Sequence, residues 1–258
     1  MTQLATRLAL VTAGSSAIGR YLVAGLAEAG YAVAFTHFGT PDDAEEVVEN
    51  VEAMGGRVMA MESDVSDETQ VNAFHAAAAA WAGVAPSVMV CNAGLQTWNS
   101  IVDLPVADWD RIIAINLRGT VLNTQAAARA MIAAGQGGSI ITLGSGASKL
   151  AFPGLGSYTA SKGGIEQFTK VAAADLGPHG IRVNCIAPGA IATDRTALEV
   201  PDYAGQWGAI TPLRRVGTPQ DLIGPLLFFI SDAAAFVTGQ TLWVDGGVFS
   251  RAPWPQVS

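Results

Sequence analysis

The chain has 258 residues, half of them hydrophobic and only 14% charged, with a formal net charge of −8. That balance excludes a disordered chain and allows a single undivided α/β domain. It also argues against nucleic acid as a partner, because phosphate binding needs clustered Lys and Arg. No apolar run approaches the roughly 18–20 residues of a membrane span, and the three scattered histidines, His37, His75 and His179, point to no metal site.

In chain order, residues 1–7 lack the basic-then-apolar order of a secretory signal. Short aliphatic or β-branched runs follow at 8–11, 32–35, 58–61, 88–90, 139–143, 181–186 and 241–244. None alternates with polar residues, so each reads as a strand covered on both faces. Between them, stretches of helical period occupy 18–29, 42–54, 68–81, 106–134, 157–176 and 219–231. Strand–helix repetition predicts one doubly wound parallel sheet of about seven strands, with helices on both faces and right-handed crossovers. The segment 190–212, with Pro201, Gly205 and Gly208, is irregular and reads as a substrate lid beyond the sixth strand, with a tolerated surface insertion as the alternative. Cys91 and Cys185 lie in strand-like runs and read as buried free thiols of a cytoplasmic protein rather than a disulfide.

The first strand runs into Thr12-Ala13-Gly14-Ser15-Ser16-Ala17-Ile18-Gly19-Arg20. A strand, a turn of small residues and a helix suit a dinucleotide, whose pyrophosphate accepts from backbone N–H groups at the helix N-terminus. Further on, Tyr158 and Lys162 are four apart in a helical stretch, on one face and one turn from each other. The chain has only three lysines, Lys149, Lys162 and Lys170.

The first turn resembles the T-G-x-x-x-G-x-G turn of the short-chain dehydrogenases/reductases. Ala13 and Ala17 replace two of its glycines, Gly19 matches, and Gly14 falls at a variable position. The alanines would demand negative φ where glycine is usual. Further family markers follow in order: Asp64-Val65, Asn92-Ala93-Gly94, Asn116, Ser145, Tyr158-x-x-x-Lys162, Pro188-Gly189 and Val244-Asp245-Gly246-Gly247. They span Thr12 to Gly247. The resemblance implies a single Rossmann-like domain over 1–258, with cofactor binding mainly in 1–150 and the catalytic helix and lid mainly in 145–215.

It further implies that Ala13, Gly14, Ser15, Ser16, Ile18 and Gly19 cradle the pyrophosphate of NADP or NAD. His37 stands where NAD-selective members carry an acid, and Phe38 where many NADP-selective members carry arginine. Lack of the acid removes repulsion of a 2′-phosphate, which Ser15, Ser16, Thr36 and His37 would hydrogen-bond, so NADP(H) is favoured; alternatively His37 packs on adenine. Asp64 with Val65 corresponds to the adenine contact, with a helix N-cap as the other reading of Asp64. Asn92, Ala93 and Gly94 serve either the cofactor or the tie between neighbouring strands. Pro188, Gly189, Ile191 and Thr193 correspond to the segment meeting the nicotinamide carboxamide.

By the same resemblance the catalytic set is Asn116, Ser145, Tyr158 and Lys162. A carbonyl reduction needs a proton donor beside the hydride source, and an ammonium one turn away favours the phenolate form of a tyrosine. Lys162 would also hold the nicotinamide ribose. Ser145 would hydrogen-bond the substrate oxygen, and Asn116 would hold a water linking Lys162 to solvent. The small residues Ala160 and Ser161 would let the cofactor approach. As alternatives, Tyr158 is a surface aromatic, Ser145 a strand-end cap, and Asn116 a partner for buried backbone groups.

Gln96, Trp98, Ser148, Leu150, Phe152, Leu155, Pro188, Tyr203 and Trp207 are candidate pocket residues, aromatic and uncharged, which suits a neutral carbonyl compound; Arg195 is the exception that could bind an anion. The chain looks similar to sugar/polyol dehydrogenases and to 3-oxoacyl thioester reductases alike, the acidic balance weighing against a carrier-protein partner. Family members are commonly homotetramers, assembled here through 157–176 and the last strand, and the tail Ser250–Ser258 with Trp254 would reach a neighbouring site. A noncatalytic dinucleotide sensor and an epimerase or dehydratase are the readings from other classes.

Overall fold

A computed structural model of the chain describes residues 7–250. The expectations placed on the tail beyond Ser250 therefore lie outside the described residues. Seven strands form one sheet: β1 Leu8–Val11, β2 Ala32–His37, β3 Arg57–Glu62, β4 Pro86–Cys91, β5 Gly138–Leu143, β6 Ile181–Pro188 and β7 Thr241–Val244. Their order is β3-β2-β1-β4-β5-β6-β7, every pair parallel. The order reverses direction between β1 and β4, which opens a crevice at the carboxyl ends of those strands.

Why the strands read as unbroken apolar runs is plain from the two core layers. Successive side chains point to opposite faces. Ala9, Val11, Val33, Phe35, Val88 and Val90 pack under α1 (Gly19–Glu28), α2 (Pro41–Ala53) and α9 (Ile223–Ile230). Leu8, Leu10, Ala34, Met89, Cys91 and Ile140 pack under α3 (Glu68–Ala82), α5 (Gly119–Ala133) and α6 (Gly156–Leu176). In the central strands both faces are covered, so few positions are left for a polar residue to alternate into; the edge strands depart from this, with Arg57 and Glu62 exposed on β3 and Leu242 on β7.

Helix ends follow local chemistry. Asp67 caps α3 by accepting from the amides of Thr69 and Gln70, and Gly83, left-handed at φ +76°, ends it. Two departures from the expected elements matter for the site. The stretch 106–134 is not one helix: α4 (Val106–Ile112) passes into a π-helical turn over Ile113–Arg118 before α5 begins. The expected irregular lid contains two short helices, α7 (Asp194–Glu199), capped by Thr193, and α8 (Tyr203–Ile210), capped by Asp202. In 219–231, a 3₁₀ turn at Pro219–Leu222 precedes α9.

Candidate active site

The turn after β1 is held from the neighbouring strand. The amide of Ala13 donates to Thr36 Oγ1 (3.1 Å) and that of Gly14 to Thr36 O (2.8 Å). Ala13 adopts φ +51°, so the expectation that alanine enforces negative φ here fails. The left-handed conformation costs about 1–2 kcal/mol, and the two bonds to Thr36 hold it. Gly14 is needed for packing, since a Cβ there would lie 2.5 Å from Phe35 Cβ. Gly19 abuts the carbonyl of Ala13, and its amide donates to Ser16 Oγ (3.1 Å). Asn92, at the end of β4, donates to Thr12 O (3.0 Å), Ala13 O (3.1 Å) and Ser16 Oγ (3.2 Å), and Ala93 N donates to Thr12 Oγ1 (2.9 Å). Asn92 and Ala93 thus tie β4 to the turn. The amides of Ala17 and Ile18 have no acceptor among the described residues. These unspent donors, at the entry to α1, suit an anionic diphosphate.

From this turn a cleft of about 740 Å³ runs across the carboxyl edge of the sheet. Ser16, Ala17, Ile18, Asn92 and Gly94 line one end; Ser145, Tyr158 and Lys162 line the middle; Pro188, Gly189, Ile191 and Thr193 line the side toward the lid. Ala13, Gly14, Ser15, Gly19, His37, Asp64, Val65, Ala93 and Asn116 are not on its wall.

Several of these residues have other partners. Ser15 Oγ pairs with Thr40 Oγ1 (3.0 Å). His37 ends β2 beside Glu62 of β3, with its Nδ1 buried and without a partner among the described residues. Glu62 Oε1 accepts from Gly39 N (3.4 Å). Asp64 is not the cap of α3, a role Asp67 takes. Asp64 Oδ1 accepts from Ser66 N (2.8 Å) and Ser66 Oγ (2.7 Å). Val65 is buried against Gly119 at the start of α5.

Lys162 is 4% exposed. Its ammonium donates to Leu143 O (2.7 Å) and lies 5.6 Å from the centre of the Tyr158 ring. An ammonium has three donors, and Leu143 O is the one acceptor for them among the described residues, so the others are free for a molecule in the cleft. Gly94 stands opposite: a Cβ there would lie 3.5 Å from Lys162 Nζ and 3.4 Å from Asn116 Oδ1. Ser145 leaves β5 in extended conformation, and its Oγ accepts from Ala147 N (3.2 Å).

Asn116 lies in the π turn and is fully buried. Its Oδ1 accepts from Leu95 N and its Nδ2 donates to Leu95 O, both at 2.9 Å. Nδ2 also donates to Ser161 Oγ (3.0 Å). The side chain is spent on clamping the loop after β4 to α6. Single π turns recur at functional sites because they re-aim one residue out of helical register. The expectation for Ser161 changes with this: it is buried and bonded to Asn116 and Tyr158 O (2.7 Å), while Ala160 is exposed and off the cleft wall.

The far side of the cleft is an aromatic wall. Phe152, Trp207 and Phe249 meet with ring centres 5.7–6.5 Å apart, and Tyr203 adds to it at 6.2 Å from Trp207. Gln96, Trp98, Leu155 and Pro188 also line the cleft; Ser148 and Leu150 do not. Ser148 Oγ instead donates to Ser145 O (2.6 Å) and contacts the Glu166 carboxylate. Burial, and secondarily the neighbouring Tyr158, push the Tyr203 phenol above its ordinary value, so it stays a neutral hydroxyl. Phe249 escaped the sequence reading. It arrives in a 3₁₀ turn, Val248–Ser250, whose start is pinned by Asp245, Oδ1 accepting from Gly247 N (2.7 Å) and Oδ2 from Phe249 N (3.2 Å). Its ring packs directly on Gly146, the residue after Ser145, where any Cβ would overlap it. Those two glycyl and aspartyl positions were the only signal for it.

Residues 12–249 match the family model described as enoyl-(acyl carrier protein) reductase. L-Rhamnose 1-dehydrogenase (NAD(P)(+)) of Sphingomonas sp. (strain SKA58) is 37% identical, over 96% of this chain and 98% of that protein. The chain belongs to the short-chain dehydrogenase/reductase family. The 3-oxoacyl-[acyl-carrier-protein] reductase FabG of Staphylococcus aureus is 36% identical, over 95% of this chain and 98% of its own length. Among solved structures of the family, the gluconate 5-dehydrogenase from Burkholderia cenocepacia J2315, in complex with NADP and tartrate, superposes with a TM-score of 0.89 at 34% identity, covering 97% of this chain and 98% of that one. This short-chain dehydrogenase/reductase is accordingly an NAD(P)-dependent oxidoreductase acting between alcohols and carbonyls, and no helix among its described residues is long and apolar enough to cross a membrane.

Proposed function

We propose that Ser145, Tyr158 and Lys162 are the catalytic residues of this enzyme, with Asn116 as the residue that positions them, and that the substrate is a neutral ketone or secondary alcohol of sugar, polyol or related type. The observation that carries the proposal is the convergence of Ser145, Tyr158 and Lys162 on one cleft that begins at the unspent amides of Ala17 and Ile18. Bound in that cleft, the nicotinamide dinucleotide supplies or accepts the hydride. Ala17 and Ile18 amides would hold its diphosphate, Lys162 a ribose hydroxyl, and Pro188, Gly189, Ile191 and Thr193 the nicotinamide side.

The chain's own residues do the rest. The Tyr158 hydroxyl gives a proton to the substrate oxygen in reduction and takes it back in oxidation. Lys162 places a buried ammonium 5.6 Å from the centre of that ring, a fixed positive charge beside the group that moves the proton. Ser145 donates to the substrate oxygen as it gains charge. Asn116 keeps Leu95 and Ser161, hence the loop and helix flanking Lys162, at fixed separation. The wall of Phe152, Trp207 and Phe249 excludes water and offers apolar surface to the rest of the substrate. Lys162 is the one charged side chain among the described residues that line the cleft, which supports a neutral substrate. A 3-oxoacyl thioester is the competing substrate.

Tyr158→Phe should lower turnover at least about a thousandfold, within the usual range for removing a general acid, with nucleotide affinity nearly unchanged. Lys162→Ala should damage both. A panel of ketones, sugars and 3-oxoacyl thioesters, followed through nicotinamide absorbance, tests the substrate. Near-normal activity in Tyr158→Phe would sink the assignment, and substrate conversion without net absorbance change would favour an epimerase. The buried free thiols of Cys91 and Cys185, pushed up by burial to about 12 and about 11, support a reducing, cytoplasmic setting. Val171 on α6, Phe228 on α9 and Leu242 on β7 are exposed apolar side chains, and Phe236 is wholly exposed, which supports a homotetramer that light scattering would detect.

A further inference from the structure

We propose that Glu62 makes the adenosine-ribose end of this site selective for NAD(H) over NADP(H). The proposal rests on the dinucleotide reading above and names which of the two forms the chain prefers. Strand β2 carries no acid at its end, and read alone it favours NADP(H). The sheet register alters the balance. His37, the last residue of β2, lies directly beside Glu62, the last residue of β3. The Glu62 side chain leans across the end of β2, where its Oε1 accepts from Gly39 N at 3.4 Å. A carboxylate from the next strand therefore occupies the corner that an acid on β2 would otherwise fill.

The neighbouring groups reinforce it. A 2′-phosphate carries close to two negative charges and needs cations or free N–H and O–H donors. The amide of Gly39 is already taken by Glu62. Thr36 Oγ1 accepts from Ala13 N at 3.1 Å and is buried, and of the Ser15 and Thr40 hydroxyls, 3.0 Å apart, one is spent donating to the other, with Ser15 itself buried. Arg20, whose guanidinium reaches Ser15 O at 3.4 Å, faces Asp43 at 3.8 Å and Glu46 at 3.4 Å. Its charge is therefore shared between two carboxylates. Asp42 and Asp43 both sit in the first turn of α2, just after this corner. A 2′-phosphate would meet a net negative surface there. A ribose 2′-hydroxyl instead has a proton to donate, and a carboxylate is the acceptor it would choose. Glu62 is exposed, so the discrimination is moderate and screened by salt, about tenfold in Kd rather than thousandfold.

The test is direct titration of the substrate-free protein with NADH and with NADPH, by calorimetry or nicotinamide fluorescence. Wild type should bind NADH about tenfold or more tighter, with the gap narrowing as salt is raised. E62Q keeps the oxygen that accepts from Gly39 N and removes only the charge. It should tighten NADPH about tenfold and leave NADH within about threefold. Wild-type protein that binds NADPH as tightly as NADH, or an NADPH/NADH ratio unchanged in E62Q, would overturn the proposal while leaving the dinucleotide reading intact. Failure to bind either nucleotide would overturn that reading and the proposal with it.

Discussion

His75 should make this protein lose stability in mildly acidic solution, well above the pH at which ordinary carboxylates titrate. It lies on the buried face of α3, 7% exposed, edge-on to Phe74 with ring centres 5.5 Å apart. Its Nε2 is 3.2 Å from Asn123 Oδ1 on α5. Asn123 Nδ2 donates to Gly119 O (2.9 Å), so Oδ1 is the acceptor and Nε2 carries the proton. Nδ1 is then a bare acceptor, buried with no partner among the described residues. A second proton would put a charge and an unmatched N–H into the α3–α5 interface. Burial accordingly pushes the imidazole down from 6.5 to about 4, the bond to Asn123 opposing only in part. Because the folded value lies below the unfolded one, the unfolded chain binds more protons between about pH 4 and 6.5. Stability is fully present above that window and falls as the pH drops through it. The loss between pH 7 and pH 5 is about 2 kcal/mol, and about 3 kcal/mol once the pH is below 4. For a chain of this length 2 kcal/mol is about 4–8 °C in Tm. Urea or thermal unfolding of wild type and His75→Gln at pH 7, 6 and 5 isolates the effect, since carboxylate contributions cancel between the two. If both proteins lose stability in parallel from pH 7 to pH 5, the reasoning about His75 is wrong.

Two further substitutions probe the site's framework. Gly146→Ala pushes a methyl group into the Phe249 ring, and overpacking of this kind costs about 1–3 kcal/mol; Tm should fall and KM rise, and Phe249→Leu in the same chain should restore most of both. Asn116→Ala leaves the Leu95 amide and carbonyl and the Ser161 hydroxyl without their shared partner. A loss of about 2–3 kcal/mol is expected in denaturant unfolding, with kcat reduced more than nucleotide affinity because the clamp lies behind the catalytic helix rather than on the cleft wall.

The parts of this protein that sequence determines are those whose partners are close in the chain or whose environment is uniform. Leu8–Val11 announces a strand covered on both sides because every one of its residues is buried. Tyr158 and Lys162 can be paired from spacing because one helix fixes their separation. Even the strand–turn–helix from Leu8 to Glu28 is local. What tertiary structure decided depends on register and on distant contacts. Ala13 takes a left-handed φ because Thr36, on another strand, holds two successive amides there. Glu62 reaches the end of β2 only because Arg57–Glu62 pairs with Ala32–His37 in one register, and a shift of one residue would turn its side chain to the other face. The π turn at Ile113–Arg118 leaves the apolar pattern nearly unchanged while swinging Asn116 toward Leu95, so no periodicity reveals it. Helices α7 and α8, six and eight residues long, are too short for a 3.6-residue period to stand out. Phe249 meets Gly146 and Trp207 from more than forty residues away on either count, a contact made by folding the last turn back over the sheet. Composition and spacing thus determine the family to which this chain belongs; the packing of strand on strand decides which side chains meet around the cleft and at the end of β2.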